Sequence, residues 1–74
     1  MKELELAALT QDLPEHGLVR GDIGTVVLIQ RGGEGFEVEF TTLDGETVAV
    51  VTLESSQVRP ISPMEIAHAR KVAV

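Results

Sequence analysis

Short apolar segments separated by turn residues run through the first sixty positions of the chain. Residues 25–29 are rich in β-branched side chains, which favour a strand. Residues 36–40 alternate apolar and glutamate side chains, the period of a strand with one buried face. Asp44-Gly45 is typical of a tight hairpin turn. The pattern predicts five strands, at about residues 4–9, 25–29, 36–40, 47–53 and 58–60.

The first of these strands is the least distinct. Leu, Ala and Glu in residues 4–9 also favour helix, but six residues followed at once by a polar turn are too few for a stable one. Five short strands joined by tight turns predict a small, strongly bent antiparallel barrel, because curling removes most of the exposed sheet edges. No repeat or linker interrupts the pattern, so we expect a single domain over residues 1–74, with the barrel at about 4–60.

The C-terminal segment carries the start signals of a helix. Ser62 and Glu65 have the spacing of a capping box, and Pro63 stands where a helix tolerates proline best. Arg70 and Lys71 suit the C-terminal end of such a helix. These signals predict a short α-helix at about residues 62–72. A helix of this length is marginal in water, so it must dock on the barrel, dock on a partner, or fray.

Composition and charge restrict the classes of function. The 74 residues carry a formal net charge of −6, have no cysteine, and are 43% apolar, which argues against disorder. No apolar run approaches the roughly 20 residues of a membrane span, and the start of the chain lacks the pattern of a signal peptide. We therefore expect a cytoplasmic protein. Its negative charge disfavours nucleic acid and favours a partner with a basic surface.

The residues of known catalytic and metal sites are largely missing. His16 and His68 have no Cys, Asp or Glu at ligand spacing, and no Ser–His–Asp or Cys–His arrangement is present. The glycine-rich segment at residues 32–35 lacks the Lys-Ser/Thr of a phosphate-binding loop and joins two strands. A chain this small also has little room for a substrate pocket. We expect no catalytic residue, cofactor or metal, and therefore no enzyme.

Several motifs of the chain resemble known domains. Residues 21–27, of sequence GDIGTVV, followed by residues 36–40, FEVEF, resemble a KOW-like or Tudor-like strand pair of SH3-like barrels. Over residues 6–60 the chain is similar to a small uncharacterised bacterial family. The motifs that carry this resemblance are Ala8-Leu9-Thr10, Asp12-Leu13-Pro14-Glu15, Gly17-Leu18, Gly21-Asp22, residues 24–27 and 37–40, Asp44-Gly45, Thr47, Ala49 and Thr52-Leu53.

The resemblance implies an SH3-like five-stranded antiparallel barrel but no activity, because the family is a domain of unknown function. Such proteins look like partners of a neighbouring small protein, as in toxin–antitoxin pairs. The chain departs from two ligand-binding classes of the wider barrel group. Phe36 and Phe40 are its only aromatic residues, whereas SH3 and Tudor sites are aromatic. RNA-binding KOW domains carry basic loops, and this chain is acidic.

The fourth predicted strand has apolar residues on both faces. One face must fill the barrel, and the other is covered by the C-terminal helix, by a second copy in a homodimer, or by a protein partner. We predict that a partner binds the set Ala49, Val51 and Leu53. The acidic loop residues that would steer a basic partner surface are Asp12, Glu15 and Asp22. A simpler interpretation is that Asp12 and Asp22 cap turns through backbone N–H groups.

The sequence therefore predicts a non-enzymatic protein-interaction module, and the family resemblance implies that it is the small acidic, antitoxin-like partner of a neighbouring protein. The alternative function is nucleic-acid binding by a KOW-like surface through Arg20, Arg31 and Arg59. Nothing in the sequence clusters these three arginines, which fall in different turns and strand ends.

Overall fold

The computed structural model describes residues 1–72. These residues form an all-β fold with one five-stranded antiparallel sheet. The sheet order is β4-β3-β2-β1-β5. Short 3₁₀ turns at Pro14–His16, Arg31–Gly33 and Ser55–Gln57 connect the strands. The prediction of five antiparallel strands is confirmed. Their bounds are β1 Leu6–Leu9, β2 Ile23–Gln30, β3 Gly35–Thr41, β4 Thr47–Glu54 and β5 Val58–Pro60.

The sheet does not close into the predicted barrel. Strands β2, β3 and β4 form a meander, and β5 returns to pair with β1. Within residues 1–72, β4 and β5 stay at opposite edges of the sheet without pairing. Strand β5 has three residues and ends at Pro60, which has no backbone N–H to donate. The result is a single unclosed sheet instead of a barrel.

One face of the sheet carries the core. The N-terminal loop folds onto this face, since its Leu13 and Leu18 are buried in the core cluster. The alternation in residues 36–40 predicted this face correctly, because Phe36, Val38 and Phe40 are all buried. The core residues are Ala7, Leu9, Leu13, Leu18, Val26, Phe36, Val38, Phe40, Val51, Leu53 and Val58.

Two bulges interrupt the alternation along the strands. In β2, Val26 pairs with Val38 and Leu28 pairs with Glu37, so Val27 is the extra residue. In β4, Ala49 pairs with Phe40 and Thr47 pairs with Thr41, which leaves Val48 extra. A bulge bends its strand and shifts which residues face the core. Both Val48 and Ala49 consequently pack against the core from adjacent positions.

The predicted helix at residues 62–72 is wrong. The start signals do form bonds: the Ser62 N–H donates to Glu65 Oε2 at 2.8 Å, and the Glu65 N–H donates to the Ser62 carbonyl at 3.1 Å. They close only one turn, and the chain then runs on without regular structure. Residues 62–71 are all exposed, so no apolar face is buried to stabilise a helix that is marginal by itself.

Candidate interaction surfaces

The predicted partner-binding face of β4 lies in the core, so its assignment is corrected. Val51 is 8% exposed and Leu53 is 2% exposed, while Ala49 is partly buried against the same core. Val51 pairs with Val38, and Leu53 pairs with Phe36. Residues directly opposite each other in an antiparallel pair point to the same side of the sheet. The register with β3 therefore turns this set inward.

The opposite side of the sheet combines apolar and acidic side chains. Its apolar members include Leu6, Leu28 and Val50, which are 55%, 42% and 54% exposed. The strand registers place the residues of this side in two rows. We call this surface the outer face; its rows are Leu6–Thr25–Glu39–Val50 across four strands and Leu28–Glu37–Thr52 across three.

The outer face is electronegative. Glu37 and Glu39 lie two positions apart on β3, about 7 Å along the strand, and point to the same side. Glu39 Oε2 accepts a hydrogen bond from the Thr47 hydroxyl at 2.8 Å, but neither carboxylate forms a salt bridge with any residue from 1 to 72. Two carboxylates flanked by exposed aliphatic side chains favour a partner surface that is basic and partly apolar.

Two of the three predicted steering residues are turn caps. Asp12 Oδ1 accepts the backbone N–H of Arg20 at 2.8 Å, and Asp22 Oδ2 accepts that of Val19 at 2.8 Å. The two carboxylates thus accept the neighbouring backbone N–H groups of residues 19 and 20, as the simpler interpretation of the sequence predicted. Glu15 lies apart from this segment, exposed on the 3₁₀ turn Pro14–His16.

Asp22 has a further partner that the sequence analysis missed. Arg70 Nε donates to Asp22 Oδ1 at 2.7 Å, and Arg70 Nη2 donates to Asp22 Oδ2 at 2.5 Å. Burial raises the pKa of Asp22, but the hydrogen bonds from Arg70 and Val19 and the charge of Arg70 outweigh burial and lower that pKa below its usual value. No sequence signal links positions 22 and 70, which are 48 residues apart, and the sequence assigned Arg70 only to the C-terminal end of a predicted helix.

Arg70 belongs to the C-terminal tail, residues 61–72, which contains neither helix nor strand. A groove of about 590 Å³ lies between this tail and the sheet. Its walls are the start of β2, the β3–β4 hairpin and residues 67–72 of the tail. Leu18, Ile23, Phe40 and Val48 give the groove an apolar floor. The tail therefore lies along the end of the sheet at which Asp22 precedes β2.

The three arginines of the alternative nucleic-acid surface do not form one patch. Arg59 makes a two-pronged salt bridge to Glu65, with its Nη2 2.6 Å from Oε1 and its Nη1 2.9 Å from Oε2. Arg20 precedes β2 and Arg31 follows it, so about 26 Å of strand separates them. One arginine is thus engaged within the chain, and the other two lie at opposite ends of a strand.

In residues 1–72, no group of three or more His, Cys, Asp or Glu side chains is placed to hold a metal ion. The same part of the chain has no helix that is long and apolar enough to span a membrane.

This geometry defines the class of the protein, which is a small all-β protein with one antiparallel sheet and an acidic outer face. Residues 3–60 match the model of a family described as Domain of unknown function (DUF4926), and the chain belongs to that family. The prediction of an uncharacterised domain family is thereby confirmed. The chain matches no curated protein and no solved structure.

Proposed function

We propose that the protein is a non-enzymatic interaction module that binds a basic protein partner through its outer face. The observation that carries this proposal is the combination of Leu6, Leu28 and Val50, each 42–55% exposed, with Glu37 and Glu39 in the same two rows. Exposed aliphatic side chains supply area that a partner removes from water. The two carboxylates supply charge complementarity and steer the encounter.

The charge of the whole chain supports a basic partner. Of the twelve acidic side chains, only Asp22 and Glu65 form salt bridges within residues 1–72. The remaining negative charge attracts a positively charged surface and repels phosphate backbones. Together with the family resemblance, this charge supports a role as the small acidic member of a cytoplasmic pair, antitoxin-like in type.

We further propose that the sheet is an SH3-like scaffold. The meander β2–β3–β4 and the return of β5 to β1 support this assignment, because they place the first and last strands side by side. The motif GDIGTVV at residues 21–27 leads into β2, and the motif FEVEF at residues 36–40 lies within β3. The scaffold would then serve as a rigid platform whose outer face is the binding surface.

The experiment is an affinity capture from a lysate of the native cells with the tagged full-length chain, read by mass spectrometry. We expect one stoichiometric partner of basic isoelectric point, whose recovery falls as salt rises. Glu37→Lys should reduce that recovery about tenfold or more, because it reverses a charge at the centre of the outer face.

The matched control is Glu34→Lys, which makes the same charge change at an exposed position of the β2–β3 connection, outside both rows. It should leave recovery close to that of the wild type. Equal loss with both variants, or recovery of the chain alone, would contradict the proposal. A second copy as the occupant would appear as a dimer in light scattering and would also overturn the basic-partner assignment.

A further inference from the structure

The end of the groove holds a complete set of acceptors for one arginine side chain. Arg70 donates to both oxygens of the Asp22 carboxylate at 2.7 and 2.5 Å, and its Nη2 also donates to the Gly17 carbonyl at 3.1 Å. The Asp22 side chain is 16% exposed, so much of its interaction with the guanidinium is shielded from water. A planar guanidinium matches this arrangement, whereas a lysine ammonium cannot make the two parallel bonds.

These acceptors are positioned by the N-terminal loop and not by the tail. Gly17 closes the 3₁₀ turn with a φ of +67°, a left-handed conformation that glycine adopts readily. The Val19 N–H holds one oxygen of Asp22 at 2.8 Å. The Leu9 N–H holds the backbone carbonyl of Asp22 at 2.9 Å. The acceptors would therefore keep their positions if the tail left the groove.

Arg70 and Glu65 are the two side chains of the tail that form salt bridges within residues 1–72, Arg70 with Asp22 and Glu65 with Arg59. Apart from Arg70, whose side chain is 32% exposed, residues 62–71 are largely open to solvent, and Met64 and Ile66 are 90% and 96% exposed. Asp22 and Gly17 lie inside the part of the chain that matches the family, which ends at residue 60, whereas Arg70 lies beyond it. The acceptor set and the arginine that fills it thus belong to separable parts of the chain.

We infer that the sheet side of this groove, which the tail lies against, is a binding site for an arginine-bearing segment of a basic protein partner, and that Arg70 of the chain's own tail is its resident competitor. The apolar floor of Leu18, Ile23, Phe40 and Val48 receives small side chains of the segment, and Asp22 with Gly17 receives the arginine. The site lies at one end of the sheet, away from the outer face. Binding at the groove and binding at the outer face are therefore tested independently of each other.

The resident tail lowers the apparent affinity for any other segment. A tethered ligand competes at an effective concentration in the millimolar range. The affinity observed in trans is reduced by the fraction of molecules in which the site is open. A partner therefore binds measurably only where it offers further contacts or where Arg70 is withdrawn.

The test uses a synthetic peptide with the sequence of residues 61–72 and the full-length chain carrying Arg70→Gln, with binding followed by NMR and calorimetry. We expect the peptide to bind this variant at least about tenfold more tightly than it binds the wild type. Amide shifts should be concentrated at residues 17–23. Absence of binding to the Arg70→Gln variant overturns the inference.

Two controls separate arginine recognition from general attraction of a cationic peptide. Adding Asp22→Asn should abolish binding, whereas Asp12→Asn removes the same charge from the same loop without touching Arg70 and should leave binding intact. A peptide with Lys at the Arg70 position should bind about tenfold more weakly. If Asp22→Asn prevents folding, the Arg and Lys peptides measured on the Arg70→Gln chain decide the question. Equal affinity for the two peptides would refute the inference.

Discussion

Gly24 shows how closely single residues are packed in this small core. It lies on β2 opposite the inner face of β3, and it is buried. A Cβ at this position would stand 2.6 Å from Val38 Cγ1, 2.8 Å from the Glu39 carbonyl and 2.9 Å from Phe40 Cε1. Such distances are far shorter than ordinary carbon contacts, and one of the neighbours is rigid backbone.

We therefore predict that Gly24→Ala lowers the free energy of unfolding by about 1–3 kcal/mol or more. The control is Gly35→Ala, also on a strand, whose Cβ would meet its nearest atoms at 3.5 Å, an ordinary contact. It should be neutral or slightly stabilising, because alanine costs less entropy than glycine. Urea denaturation measures both values. A similar stability for the two variants would contradict the packing seen around Gly24.

Glu65 is the residue whose ionisation the structure changes most clearly. The hydrogen bond from Arg59 and then the one from the Ser62 N–H lower the pKa of its carboxyl to about 2, from an ordinary value of 4.5. A carboxyl with a lowered pKa stabilises the folded state above its ordinary pKa and loses that effect as the pH falls towards the lowered value. The turn at the start of the tail is thus stable at neutral pH and weakens in acid.

The corresponding prediction is measured by a carbon-detected NMR titration of the side-chain carboxyls. Glu65 should titrate near 2 in the wild type, and Arg59→Gln should move its pKa back towards 4.5, because the hydrogen bond and the charge of Arg59 are removed. Arg20→Gln, which removes an arginine that makes no salt bridge within residues 1–72, should leave the Glu65 titration unchanged. A Glu65 pKa near 4.5 in the wild type would refute the salt bridge in solution.

At the scale of the elements, the register between β3 and β4 decides which residues of β4 are buried. Both faces of β4 are apolar in sequence, so its composition does not select one. Pairing of Phe36 with Leu53 and of Val38 with Val51 makes the selection, and the bulge at Val48 keeps the hairpin compatible with it. Val50, 54% exposed, is left on the outer face.

Neighbouring valines on β4 provide a matched test of this assignment. Val51→Thr should cost about 1–3 kcal/mol in the free energy of unfolding, because it places a hydroxyl without a partner in the core. Val50→Thr changes the same atoms on the outer face and should stay within about 0.5 kcal/mol of the wild type. Both substitutions keep the strand and the side-chain volume. Urea denaturation with an unchanged m value therefore measures the difference in burial between the two positions. A larger loss of unfolding free energy for Val50→Thr than for Val51→Thr would contradict the assignment of the buried and exposed faces of β4.

At the scale of the whole molecule, the charge distribution and the tail define how the protein meets other molecules. A net charge of −6 on 74 residues, with most carboxylates outside salt bridges in residues 1–72, gives a long-range attraction for basic surfaces. The outer face and the groove beside Asp22 lie on different parts of the sheet, so the two proposed binding sites do not overlap. Residues 67–72 of the tail form one wall of the groove.

The sequence by itself determined the all-β class, the number of strands and the family. The class and the number of strands follow from local signals: β-branched residues in β2, the two-residue period of Phe36, Val38 and Phe40, and the Asp44-Gly45 turn. The family follows from the resemblance of the motifs and from the match over residues 3–60. It also indicated that Asp12 and Asp22 cap turns, because their bonds span only a few residues within one loop. Local chemistry of this kind does not depend on distant contacts.

Only the tertiary structure decided which face of β4 is buried, whether the sheet closes, and where the tail lies. Register depends on pairing across two strands and on a bulge, and a shift of one residue reverses every side chain. The predicted helix at 62–72 was wrong because its capping bonds are local, whereas a helix this short needs a face to bury. The Arg70–Asp22 pair joins positions 48 residues apart, a contact that exists only once the chain is folded.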